Sequence, residues 1–228
     1  MLFKIGAYLR FLKGSHNQHG IHSPFVYDFV TKCLYNQVKK SDYQRLIKQL
    51  NKMCFLENPT LSTKQTKLLM QIIGYFNPDW VLNFSQNKGL IASTLNQKNK
   101  REIFQISDYI APKTSASNLI ETGYNELMSI SEELSQSALS LRKKPFCLAF
   151  LNENNLRQDL QEFLENASDS FSTQSLIILE GINQSKENKA LWENIKNINQ
   201  VNVTVDLFFW GIIFLREGQA EQHFKVRV

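Results

Sequence analysis

His16, His19 and His22 recur at every third residue of the chain, and three imidazoles at such short spacing invite a chemical reading as Zn²⁺ ligands or as a general base. The local sequence argues against a metal. Gly14 and Gly20 make this stretch a turn-rich connection, so the three rings need not share a face, and His22 stands directly before a helix start at Ser23-Pro24. Packing and backbone hydrogen bonding beside Ser23 explain His22, and a substrate-facing role for His19 or His22 is the alternative. Three cysteines, at 33, 54 and 147, are odd in number and far apart, which suits reduced thiols in a cytoplasmic protein. No P-loop, no CxxC pair with zinc spacing and no Ser/His/Asp constellation is present, which removes those chemistries.

The elements that would position such residues divide the chain in two. Residues 1–78 read as helical and residues 79–228 as alternating strands and helices, together one domain of 228 residues. Ser23 before Pro24 predicts a helix from about Pro24 to Tyr35. Ser62 with Gln65 forms a capping-box pattern ahead of Leu68, Leu69, Ile72, Ile73 and Phe76, one apolar helical face that Asn77-Pro78 should end. Short apolar runs then recur at 79–84, 102–107, 117–122, 146–152, 175–180, 201–208 and 210–216. Polar helical stretches at 156–166 and 186–198 fit right-handed crossovers of a parallel sheet. Only a residue or two separates the last two runs, too few for a crossover, so they should be an antiparallel pair.

Composition limits the partners. The N-terminal stretch MLFKIGAYLRFLK is interrupted by Lys4 and Arg10 and lacks a cleavage site, and LFFWGIIFL at 207–215 is too short for a helical span, so no membrane partner is expected. A net charge of +5 spread along the chain gives no reason to expect nucleic acid. Phe3, Tyr8, Phe11, Phe25, Tyr27 and Phe29 could line a substrate lid but read mostly as core, buried against the sheet or against a second subunit, which keeps a homodimer open.

The segments HGIHSPFVYDFVTKCLY at 19–35 and NVTVDLFFWGIIFLREGQAEQHFKVRV at 202–228 carry a resemblance to a bacterial family of class I S-adenosylmethionine (SAM)-dependent methyltransferases, related to small-molecule O-methyltransferases. The resemblance implies a Rossmann-like α/β fold with a seven-stranded sheet, the last strand antiparallel, behind an N-terminal helical cap. It also implies SAM as the cofactor and a small-molecule substrate with an oxygen or nitrogen acceptor. The family's cofactor loop matches Asn83 to Gly89, where Asn83 replaces an acid, Ser85 a glycine, and Gly89 is kept. Ser107 matches the acid that accepts the two ribose hydroxyls, with Asp108 one position late, and Asn152 follows the matching fourth strand. Family members with a metal site carry an acid at that fourth position and two more after strand five, here Glu180-Gly181. One carboxylate is too little charge for a hard divalent cation, so no metal is expected. With 38 Asn and Gln in the chain, an amide at a matched position need not reflect selection for that amide. Two functional expectations stay open: an enzyme that methylates a small molecule, or a non-catalytic relative that keeps the fold as a binding or assembly module.

Overall fold

The computed structural model describes residues 2–52, 61–78, 80–83, 102–105, 147–151, 164, 172–216 and 218–228. Helices come first. α1 spans Leu2–Gly14, a 3-10 turn Gln18–Gly20, α2 Pro24–Asp28, which continues as a π-helical segment Phe29–Leu34, α3 Lys40–Lys52 and α4 Thr63–Phe76. The start of α4 is fixed reciprocally. Ser62 Oγ accepts from the Gln65 backbone N–H at 3.3 Å, while Gln65 Oε1 accepts from the Ser62 backbone N–H at 2.9 Å. Asn77, at φ 51°, closes the helix in the left-handed region, and Pro78 cannot extend it.

The strands are β1 Trp80–Asn83, β2 Glu102–Gln105, β3 Cys147–Leu151, β4 Leu176–Glu180, β5 Val203–Asp206, β6 Trp210–Phe214 and β7 Gln222–Lys225, with helix α5 at Lys186–Ile195 before β5. They join in one sheet in the order β2-β1-β3-β4-β6-β5-β7. β1 to β4 are parallel, and β6 is antiparallel to both β4 and β5, as the short 207–209 connection requires. Two sheet expectations are corrected or left aside. The expected strand at 117–122 lies outside the described residues. Gln222–Lys225 is a strand that no apolar run announces; it pairs parallel with β5, so the antiparallel strand is the penultimate one in the chain rather than the last. A polar segment with one partly buried face gives a weak period-2 signal, which is why QHFK was not anticipated. The expected helix at 156–166 falls mostly outside the described residues.

Strand alternation sends Leu148, Phe150, Leu176, Ile178, Val203, Val205, Ile212 and Phe214 into a buried cluster shared with α2, the π-helical segment and α4. Phe214 is its aromatic centre, with ring centroids 4.9 Å from Phe25 and 5.2 Å from Phe29. Phe29 is thus core, as expected, and Cys33 sits in the same cluster, where burial pushes its thiol pKa up. Among the described residues no helix is long and apolar enough to cross a membrane.

The opposite face is covered by α5, and Gly211 of β6 shows how tightly. A Cβ built there would stand 2.4 Å from the ring of Trp192, whose side chain is fully buried. Gly211→Ala should therefore destabilise the protein by about 1–3 kcal/mol through overpacking, read from urea-unfolding midpoints. The same substitution in a Trp192→Leu background should lose most of that penalty. An equal penalty in both backgrounds would show that the ring is not what excludes the methyl group.

Candidate active site

β4 ends at Glu180 and β5 at Asp206, and both ends lie at one edge of the sheet because Glu180 pairs with Trp210 and Asp206 with Gly211 of the intervening β6. The same carboxyl edge carries the end of β1 at Asn83, in register with Gln105 of β2 and Phe150 of β3. Open α/β sheets bind ligands along this edge.

The turn from Leu207 to Phe209 rises from it in a strained form. Phe208 has φ 73°, a left-handed backbone that bulky residues avoid at a cost of about 1–2 kcal/mol. A buried polar network holds it there. Asp206, only 1% exposed, accepts the Phe208 backbone N–H at 2.7 Å, and Asn183 Nδ2 donates to the Phe208 carbonyl at 2.9 Å and to Asp206 Oδ1 at 3.4 Å. Lys189 Nζ lies 3.5 Å from Asp206 Oδ2 and 2.8 Å from Glu193 Oε1. Burial alone would raise the Glu193 carboxyl pKa, but hydrogen bonds from Lys189 and Lys196 outweigh it and hold the pKa at about 2. The loop after β4 is fixed in the same way: Asn188 Nδ2 donates to the Gly181 carbonyl at 3.1 Å, and the Gly181 backbone N–H to the Phe209 carbonyl at 2.9 Å.

Above this edge lies a cleft of about 740 Å³, within the range of small-ligand sites. α1 contributes Lys4, Tyr8 and Phe11 to its wall, the start of α4 contributes Lys64, the end of β4 contributes Glu180, and the strained turn contributes Phe208. Arg227 completes the charged part of the lining. Tyr8 meets Phe208 edge to face at 4.8 Å, and Phe11 lies 5.5 Å from the same ring. Tyr8 is 46% exposed and lines the cleft, so of the N-terminal aromatics it takes a place in the wall of the site, whereas Phe11 is buried and Tyr27 is exposed outside the lining.

The residues anticipated from sequence are placed as follows. Asn83 closes β1 at the carboxyl edge. Ser85, Gly89, Ser107, Asp108 and Asn152 lie outside the described residues. Glu180 and Gly181 both line the cleft, and no group of three metal-ligating side chains occurs among the described residues. His16 bridges Val226 through its backbone, its N–H donating to the Lys225 carbonyl at 2.8 Å. His19 is exposed in the 3-10 turn, where its backbone N–H donates to Asn17 Oδ1 at 3.2 Å. His22 is exposed beside Ser23, whose Oγ accepts from Gln219 Nε2 at 3.2 Å in the connection from β6 to β7, at the amino edge opposite the cleft. Neither His19 nor His22 belongs to the described lining. Sequence reasoning missed Lys4, Lys64, Phe208 and Arg227. No spacing rule unites positions so far apart, and a phenylalanine in a left-handed turn has no sequence signature.

No family model matches the sequence, and no curated protein matches it. Among solved structures, the fold is similar to an O-methyltransferase from Streptomyces achromogenes involved in tomaymycin synthesis, in complex with SAM, at 12% identity over 80% of this chain and 92% of that one, with a TM-score of 0.47. It is similar also to a methyltransferase from Geobacter sulfurreducens, at 10% identity over 80% of this chain and 99% of that one, TM-score 0.47. An O-methyltransferase from Bacillus cereus in complex with S-adenosylhomocysteine (SAH) matches at 15% identity over 83% of this chain and 95% of that one, TM-score 0.43.

Proposed function

We propose that the protein is a class I SAM-dependent methyltransferase for a small molecule, with the cofactor at the carboxyl ends of β1, β2 and β3 and the acceptor in the cleft beside β4 and β5. The observation that carries this is the strand order, with one antiparallel strand between β4 and β5 and a cleft on the carboxyl edge. The cofactor residues under this reading are Asn83, Ser85, Gly89, Ser107, Asp108 and Asn152. Of these, Asn83 is the one among the described residues; it ends β1 at the carboxyl edge and offers an amide where the resemblance expects a charge.

Bound SAM would supply a methyl group on sulfonium sulfur, already activated for transfer. What remains for the chain is alignment and proton removal. Glu180, the carboxylate at the end of β4 and the one acid in the described lining, is the group to take the acceptor's proton as its oxygen or nitrogen is methylated. Tyr8 and Phe208 form an aromatic wall that restricts the acceptor's orientation.

A second reading is a non-catalytic binding or assembly module, favoured by the absence of an acid at positions 83, 107, 152 and 181. Calorimetric titration with SAH separates the two. A hydrogen bond to a charged group contributes about 1.5–3 kcal/mol, so Ser107 in place of the ribose acid should leave affinity about tenfold to a few hundredfold weaker, and Ser107→Glu should recover it. Tight binding by the unmodified protein would instead give the ribose contact to Asp108. No heat in either form would favour the non-catalytic module.

A further inference from the structure

We propose that the cleft recognises a planar ring bearing a carboxylate, so that the methyl acceptor is an aromatic acid; this rests on the reading of the cleft as the acceptor site. Among the described residues, three cationic side chains, Lys4, Lys64 and Arg227, reach it from a first helix, a fourth helix and the segment after β7, against the one acidic side chain, Glu180. A small cleft lined by an excess of one charge concentrates ligands of the opposite sign. Lys64 Nζ contacts the Val228 main-chain oxygen within the same lining. Arg227 offers a planar fork that matches a carboxylate in two parallel bonds.

The ring half of the ligand is argued from Phe208. Its backbone is held in the left-handed region by Asp206 and Asn183, against the preference of its own side chain. Glycine would fill that position without strain, yet the residue there is a phenylalanine whose ring meets Tyr8 at 4.8 Å in the cleft wall. The strained turn thus puts an aromatic ring into the same lining as the three cations, and a flat acid satisfies both.

The test uses the full chain and two isosteric probes, benzoate and neutral benzamide, titrated separately by NMR without cofactor. Benzoate should bind at least fivefold more tightly than benzamide. Lys64→Gln and Arg227→Gln should each weaken benzoate about two- to fivefold, as partly exposed ion pairs do, and together should erase the preference. Phe208→Gly relieves the backbone strain, so it should fold normally, and it should weaken both probes about two- to tenfold through the lost ring. Equal binding of the two probes, or a preference that survives the double substitution, overturns the proposal. Benzoate preference in a protein that fails to bind SAH keeps the acid-binding cleft and removes only the methyltransferase reading. SAH binding without benzoate preference removes only the acid.

Discussion

Asp206→Ala is expected to lower stability by about 2–4 kcal/mol, read as a shift in the urea-unfolding midpoint at unchanged slope. The carboxylate is 1% exposed and accepts the Phe208 N–H at 2.7 Å, a hydrogen bond to a charged group worth about 1.5–3 kcal/mol. Its removal also strips Asn183 of one acceptor and Lys189 of a partner at 3.5 Å. Lys189 keeps Glu193 at 2.8 Å and is 30% exposed, so its loss adds less than a fully buried charge would. Asp206→Asn retains an oxygen for the Phe208 N–H and should cost about half as much. The larger consequence is local: without the carboxylate the Asn183 bond to the Phe208 carbonyl is what remains of the network against the strain at φ 73°, and the Phe208 ring should leave the cleft wall. A change below about 0.5 kcal/mol would mean that the turn is held by something other than this network.

Glu180→Gln is expected to slow methyl transfer about 10²- to 10⁴-fold, the usual contribution of a positioned general base and equivalent to about 3–5 kcal/mol of barrier. The amide keeps the size and polarity of the side chain but cannot take a proton. Substrate affinity should hold or improve, because the one acidic side chain of the described lining is removed. The measurement is transfer of labelled methyl from SAM to a panel of hydroxy- and aminobenzoates, with SAH affinity as the control for an intact crevice. An unchanged rate would take Glu180 out of the chemistry and leave alignment as the chain's whole contribution.

How far the sequence itself reached is clearest at particular elements. The start of α4 was legible because Ser62, Gln65 and Asn77-Pro78 each act within a single helical turn, and local hydrogen bonding decides them. The antiparallel pairing of β5 and β6 followed from chain length alone, since three residues cannot cross a sheet. β7 was not legible, because Gln222–Lys225 is recruited by an open strand edge rather than by its own pattern. The cleft was legible only in part. Glu180 was singled out for its place after a strand, but as a metal ligand lacking partners and not as the acid of a cleft. Lys4, Lys64 and Arg227 meet only through the tertiary arrangement of α1, α4 and β7. The histidines stand out by their spacing, yet His22 lies beside the Gln219–Ser23 bond at the amino edge, where Ser23 makes no side-chain cap and Pro24 opens the helix.

The account turns on two ligands meeting at one edge of the sheet, and a crystal structure of the protein grown with millimolar SAH and benzoate tests that most directly. The predicted result places SAH across the carboxyl ends of β1, β2 and β3, beyond Asn83, with its sulfur turned towards Glu180, and benzoate between Phe208 and the cations Lys64 and Arg227. SAH bound at any other edge, or a carboxyl edge of β1 to β3 with no room for it at that concentration, would contradict the account.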